Sequence, residues 1–343
     1  MDYWRIFLLS WIILSSYAEE DIQEGRSRYK LTVIILTMNR PHSLQRLLNS
    51  LDKTEFDEPE DYFDVEIHVD KSLGSLYKDC VKIAKNYTTS KMNSKGKSTP
   101  KIFKTNHGLR AAWFDAWYPK PDDEFSIFVE DDLELSPYWY IWLKKTWRHY
   151  GNRSDIAGIA LQRQFNMFQK PAADVEINNE GMPFLYKLVA TWGFSPHPKH
   201  WREFLDWFHS IDNEKFDPYV PGLITSDWLH MHTTMGKRHM TWEQWHIYYG
   251  ERHGLYTLYH NLPRRTTLAS NWREAGVHTR NSFNTKDYPT LDYCAIELQE
   301  FPEKLTKYGW DAWKEEMTPE EKEKAKAIRK KFDEDREILQ RHS

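Results

Sequence analysis

The stretch Phe125-Ser126-Ile127-Phe128-Val129-Glu130-Asp131-Asp132-Leu133-Glu134-Leu135-Ser136-Pro137 constrains this chain more than any other. Its apolar, β-branched and aromatic start predicts a strand buried on both faces. The strand stops at three consecutive carboxylates, Glu130, Asp131 and Asp132. Ser136 followed by Pro137 predicts a helix capped by the serine, with proline at its first position. Acids crowded at the exposed end of a buried strand repel one another. A hard divalent cation, bound through oxygen and shared with a phosphate-bearing substrate, would relieve that repulsion. A solvated acidic turn before a helix is the plainer reading, because carboxylates also favour the helix dipole. The stretch alone leaves both open.

The preceding residues set this strand in a larger pattern. Leu31 to Thr37 predicts a second buried strand. It ends in Met38-Asn39-Arg40-Pro41, after which Leu44, Leu47, Leu48 and Leu51 line one helical face. Asp64 to Asp70 alternates and places an acid at the tip of a third strand, and a helix is expected over 75–87. Residues 88–100 are a polar loop. Lys101 to Lys104 is a short strand, and Asn106-His107-Gly108-Leu109-Arg110 leads into a helix through Trp117. After the acidic strand an aromatic-rich helix runs to about Tyr150. Strand and helix thus alternate, with polar residues gathered at strand tips, as in a doubly wound α/β sheet whose ligands bind at that edge.

The second half predicts strands over 156–161, 185–190 and 255–259. Helices are expected from Pro198, over 225–235 and over 240–250. Thr318-Pro319-Glu320-Glu321 reads as a capping box opening a charged C-terminal helix.

Lys plus Arg number 47 against 51 Asp plus Glu, so nothing basic points to nucleic acid. The 16 tryptophans suit packing against the C–H faces of carbohydrate, although most such rings belong to cores. Arg5, the apolar run from Ile6 to Leu14 and Ser16-Tyr17-Ala18 have the form of a targeting leader. That run is short of the ~20 residues that span a bilayer, so a cleaved signal peptide comes before a signal anchor. Either places the body in the secretory lumen. Asn86-Tyr87-Thr88 and Asn152-Arg153-Ser154 are glycosylation acceptors consistent with that address. Cys80 and Cys294 allow one disulfide and leave its formation open.

The order of strand, Asn39-Arg40-Pro41, helix, Asp70-tipped strand, His107-Gly108-Leu109-Arg110 and Val129-Glu130-Asp131-Asp132-Leu133-Glu134 resembles the GT-A glycosyltransferases. It is similar above all to their family 2-like and N-acetylglucosaminyltransferase I-like branch. The resemblance runs from Leu31 to about Phe283 and is strongest over Val129 to Pro137. It implies a GT-A, Rossmann-like, mostly parallel sheet flanked by helices, with a C-terminal helical appendage. Within it the resemblance implies a nucleotide-sugar-binding half at 30–150 and an acceptor half at 151–285, which the residue patterns flank with a leader at 1–18 and a helical extension at 286–343. The activity implied is transfer of a sugar from a UDP-sugar to a hydroxyl of a glycan, glycoprotein or glycolipid, with inversion, in the Golgi or endoplasmic reticulum. Membrane attachment would run through the N-terminus.

By the same resemblance, Asp132 would ligate Mn²⁺ or Mg²⁺, with His278 as a late second ligand. Glu130 and Asp131 would act through water or the ribose. Asp70 would accept from uracil or ribose, while Asn39, Arg40, His107 and Arg110 would hold base and phosphates. Asp227, in Ser226-Asp227-Trp228, matches the position of the base, with Glu243 next in line. Trp192-Gly193-Phe194 would floor the sugar site. Each has a structural alternative: a helix cap for Asp70 and Asp227, a solvated helix start for Arg40, a core turn for Trp192-Gly193-Phe194. Other activities stay open, namely a sugar-binding protein without catalysis and a nucleotide-sugar hydrolase or nucleotidyltransferase. Against the last stands the absence of glycine from Thr37-Met38-Asn39-Arg40-Pro41.

Overall fold

In the computed structural model, residues 30–88, 96–164, 177–220, 223–275, 283–296 and 299–308 are described, with a few positions between 319 and 330. The leader, His278 and most of the expected C-terminal helix lie outside them. The first half alternates as its apolar periodicity requires: β1 (Lys30–Thr37), α1 (Pro41–Leu51), β2 (Phe63–Val69), α2 (Ser75–Asn86), β3 (Ser98–Ile102), α3 (Gly108–Phe114) and β4 (Glu124–Glu130). There follow β5 (Leu133–Leu135), α4 (Trp139–Tyr150), β6 (Ile156–Ala160), β7 (Phe184–Tyr186), β8 (Phe194–Pro196) and α5 (Pro198–Ser210). The remainder is α6 (Ile224–Thr234), α7 (Glu243–Arg252), β9 (Tyr256–Tyr259), β10 (Ala269–Asn271) and β11 (Thr306–Tyr308).

Nine strands form one mixed sheet in the order β11-β7-β9-β6-β8-β4-β1-β2-β3. β1 pairs parallel with both β2 and β4, and β2 with β3. β8 is antiparallel to β4 and to β6, so the direction changes where the first half meets the second.

β1 shows why the central strands read as unbroken apolar runs. Leu31, Val33 and Ile35 pack with α1, α2 and α4 on one face, while Ile34 and Leu36 pack with α3, α5 and α7 on the other. A strand covered on both faces has no polar side to display. The second face is aromatic: Trp113 stacks on Phe128 at 4.8 Å and on Trp242 at 3.8 Å between ring centroids.

Three expectations change. The helix after Pro137 starts at Trp139, because residues 133–135 first form β5, antiparallel to β10. Ser136 caps no regular helix; its hydroxyl donates to the Leu291 carbonyl at 2.6 Å and accepts from the Tyr138 N–H. Residues 286–308 are not a helical extension. Lys286 bridges to Trp272, and β11 adds a parallel strand beside β7. Cys80 and Cys294 are both free, the first buried and the second exposed.

Aromatic burial has a pH consequence. His246 lies among Phe194, Trp201 and Phe204, and burial pulls its pKa down to about 3. Burial likewise lowers His197 and His260 to about 4. Each is therefore neutral when folded and binds a proton more readily when unfolded. Their contribution is complete above about pH 6.5 and is lost as pH falls toward 4 and then 3. Urea titrations between pH 7 and 4 should show stability declining with acid, and His246→Phe should reduce that decline by up to about 1.4 kcal/mol per pH unit. An unchanged pH slope in the variant would contradict this assignment.

Candidate active site

Parallel pairing brings the carboxyl ends of β1, β2 and β4 to one edge, and backbone bonds fix them together. Asp131 N–H donates to the Leu36 carbonyl at 3.1 Å and Asp70 N–H to the Thr37 carbonyl at 2.8 Å. The pleat then sends the acids after β4 in different directions. Glu130, partly buried, accepts from the Trp113 indole N–H at 3.2 Å. Asp131 is buried and accepts from the Thr37 hydroxyl at 2.6 Å. Asp132 stays at the rim, its side chain 18% exposed.

Arg40 closes this cluster. It occupies the turn before α1, and its guanidinium ion-pairs with Asp131 and, at 2.8 Å, with Asp132. Burial alone would lower its pKa, but Asp131 and Asp132 outweigh that and raise it. The acids feel the opposite imbalance. Loss of water and then the charge of Asp132 push Glu130 up to about 8. Burial, opposed by Arg40, pushes Asp131 to about 6. One guanidinium does not neutralise three adjacent carboxylates.

The donor set suits a hard cation that brings most of its own ligands. Mg²⁺-type sites commonly use one or two carboxylates together with substrate phosphates and water. Asp132 supplies such a carboxylate. Among the described residues no three His, Cys, Asp or Glu side chains converge as a complete cage. Glu130 and Asp131 depart from the expected outward roles, since Trp113, Thr37 and Arg40 hold them from inside.

Asp70 is engaged as a bracket for α3. Its Oδ1 accepts from the N–H groups of Lys71 and His107, both at 2.8 Å, and its Oδ2 from Gly108 N–H at 3.0 Å. A nucleoside contact would have to share these oxygens. His107 sits at the start of α3 with its ring 4.5 Å from that of Phe103, and Asn39 is partly buried in the turn before Arg40. Arg110 lies over Phe208 of α5 and Trp245 of α7.

The second half corrects the sugar floor. Phe194 is fully buried against Phe128-side core aromatics and presents no platform. Gly193 has φ +75°, and a Cβ there would lie 3.0 Å from that of Leu161 and 3.1 Å from that of Ala269, so the turn is a packing device. Only Trp192 of the three keeps a partly exposed side chain. Asp227 is exposed in the first turn of α6. It is not the N-cap, which is Leu223, and no described hydrogen bond or ion pair joins it to the acidic edge. Glu243 is buried at the start of α7, accepts from the Trp242 N–H at 3.1 Å, and burial raises its pKa.

Sequence reasoning missed the wall beside Asp132. Trp272 N–H donates to the Asp132 carbonyl at 2.8 Å, and Arg46 lies 4.3 Å above the Trp272 ring. Glu274 ion-pairs with Arg46 and accepts from Ser43, which together hold its carboxyl low against the effect of burial. Glu134 accepts from the Trp272 indole at 3.0 Å and from Lys286 at 2.8 Å. The available signal was Ser43 and Arg46 at i and i+3 on α1, polar positions just after Arg40.

A family model described as the SPBC1E8.03c C-terminal domain matches residues 42–211, just under half of the 343 residues. A search of curated proteins gives no match. Among solved structures, similarity is found to S. aureus TarS 1-349, at 16% identity and TM-score 0.38 over 68% of this chain and 58% of that one. The mannosyltransferase PcManGT from Pyrobaculum calidifontis, in complex with GDP-Man and Mn²⁺, shows 9% identity and TM-score 0.35 over 53% and 47%. Mouse xyloside xylosyltransferase 1, apo form, shows 10% identity and TM-score 0.38 over 69% and 86%. The chain spans less than two thirds of TarS and of PcManGT.

Arg40→Met would leave Asp131 buried without its counter-charge. The expected loss is about 3–5 kcal/mol, the usual cost of breaking one side of a buried ion pair. Asp131→Asn in the same chain should recover part of it. A double-mutant cycle by urea unfolding that returned simple additivity would show that the two groups do not interact.

Proposed function

We propose that this chain is a metal-dependent GT-A glycosyltransferase that moves a sugar from a UDP-sugar to an acceptor hydroxyl, with inversion, in the secretory lumen. The observation that carries the reading is the under-neutralised acidic edge at the tips of three parallel strands, with Arg40 bound between Asp131 and Asp132. An edge of that kind is where open α/β sheets bind ligands. The motif resemblance from Leu31 to Phe283 supplies the reaction class. The address rests on the leader and on two acceptor asparagines that are exposed, Asn86 at the end of α2 and Asn152 in the turn after α4.

A bound Mn²⁺ or Mg²⁺ would neutralise the diphosphate and so make it a competent leaving group. Asp132 is the residue that would hold it, with His278 as a further ligand from outside the described residues. Burial and the charge of Asp132 raise Glu130 and Asp131 above the usual carboxylate range, so a cation at the rim would relieve this crowding where a bare diphosphate would add to it. Arg40, once Asp132 has another partner, is within the same rim to pair with a phosphate oxygen. Asp70 fixes the start of α3 and hence where His107 stands. The acceptor hydroxyl needs a base from the opposite side, because the rim acids face the diphosphate. Asp227 is the exposed acid in the second half that both the layout and the motif select, with Glu243 as the alternate.

Incubation with a panel of nucleotide sugars and Mn²⁺, reading release of free UDP, tests the reading directly. Absence of UDP binding and of release from any donor would overturn it. Asp132→Asn should abolish metal-dependent UDP binding in calorimetry while the protein stays folded; equal affinity in EDTA would remove the metal from the scheme. Asp227→Asn should lower turnover by roughly 10²–10⁴-fold with donor affinity nearly unchanged. A normal rate in that variant would transfer the role to Glu243.

A further inference from the structure

Away from the acidic rim, α3, α5, α7 and the 3₁₀ turn Arg238–Met240 enclose a second polar cluster. At its centre is Trp245, fully buried, with an indole N–H that has no acceptor among the described residues. Two guanidinium groups lie over the same ring, Arg238 at 5.0 Å and Arg110 at 5.9 Å from its centroid. Phe208 forms the adjoining wall, 5.0 Å from Trp245 and 5.5 Å from the Arg110 guanidinium.

The two arginines differ in what they have left to donate. Arg238 is fully engaged: Nε donates to the Asn213 carbonyl and Nη1 to the Thr233 hydroxyl, both at 3.1 Å, and Nη2 to the Phe216 carbonyl. It builds the floor. Arg110 keeps a buried Nη1 without an acceptor among the described residues. Its one described acceptor is Glu214, which reaches Nη2 at 3.3 Å from a side chain that is 70% exposed. Buried donors in native proteins are nearly always satisfied, so two orphans beside paired cations call for an acceptor. With two guanidinium groups over one ring, an acceptor at the two orphaned donors is favoured when it is anionic, Glu214 and Asp217 being the acids that face the pair from the protein itself.

We propose that this cluster is a binding site for the oxyanion of a ligand, a carboxylate or a phosphate, with Arg110 Nη1 and Trp245 Nε1 as the donors. Glu214 is the internal stand-in, and it covers Arg110 until the ligand arrives. Glu214 makes a single long contact from a side chain that solvent largely surrounds, so displacement is easy. Phe208 and the Trp245 face keep water from competing, which strengthens charge-assisted bonds. The donors Arg110 and Trp245 are distinct from the carboxylates of the acidic rim.

Calorimetry on the full chain, without metal or nucleotide and at constant ionic strength, would use inorganic phosphate and D-glucuronate as probes. At least one should bind saturably; phosphate alone points to a phosphorylated ligand and glucuronate alone to a carboxylate. Trp245→Phe removes only the N–H donor and should weaken binding about tenfold or more, and Arg110→Gln should do at least as much. Glu214→Gln, a surface change that tests the site even if a core variant misfolds, should tighten it. No saturable binding by either probe would overturn the proposal, as would unchanged affinity in Glu214→Gln or in folded Trp245→Phe. Failure of sugar transfer would leave these outcomes untouched.

Discussion

Negative charge packed at the end of β4 is the constraint on which this architecture turns. Three carboxylates in sequence cannot all stay ionised at close range in a partly dry environment without compensation. The fold answers in three ways at once. The pleat separates Glu130 from Asp131, one toward α3 and the other toward α1. Thr37 and the Trp113 indole donate to the two inner acids. Arg40 supplies the positive charge that pairs with Asp131 and Asp132 among the described residues, held in position because Pro41 starts α1 immediately after it. What remains uncompensated collects at Asp132, the acid that water and ligands can reach.

Keeping that arrangement requires rigid surroundings, and these come from far along the chain. β5 follows the acids directly and pairs with β10 more than 130 residues later, while Glu134 grips Trp272 and Lys286. Ser43 and Arg46 of α1 clasp Glu274 from the other side. The rim of Asp132 is therefore built from the first strand–helix unit and from the segment beyond β10 together.

Local pattern was enough for the first half. The runs at 31–37 and 125–130 and the leucines of α1 carry their burial in their own periodicity, and so the edge holding Arg40, Asp70 and Asp132 was legible. What failed depended on distant pairing. Ser136 has the form of a helix cap, but β10 takes the preceding residues into a ladder and Leu291 takes the hydroxyl. Trp192-Gly193-Phe194 has the form of an aromatic ligand floor, yet β8 lies between β4 and β6, which drives Phe194 into the core. Residues 286–308 lack strong periodicity of either kind, and their strand exists only because β7 offers an edge. The orphaned donors of Arg110 and Trp245 leave no mark in sequence, since they arise from the meeting of three helices.

The aromatic layer decides how the two halves sit on one another. Glu130 accepts from Trp113, Trp113 stacks on Trp242, and Trp242 precedes Glu243 at the start of α7. A rim acid is thus linked through two indoles to the helix that carries the alternate base candidate and Trp245. Flat rings in contact at 3.8 Å tolerate little sliding, because shape complementarity in a close-packed interior is lost with small shifts. The same Trp113 ring also touches Phe128 of β4, so the strand bearing the acids and the helices of the second half share one packing unit. Tryptophan abundance in this chain is explained first by that joint. Trp192, Trp207, Trp228 and Trp272 are the described indoles that the core leaves partly exposed.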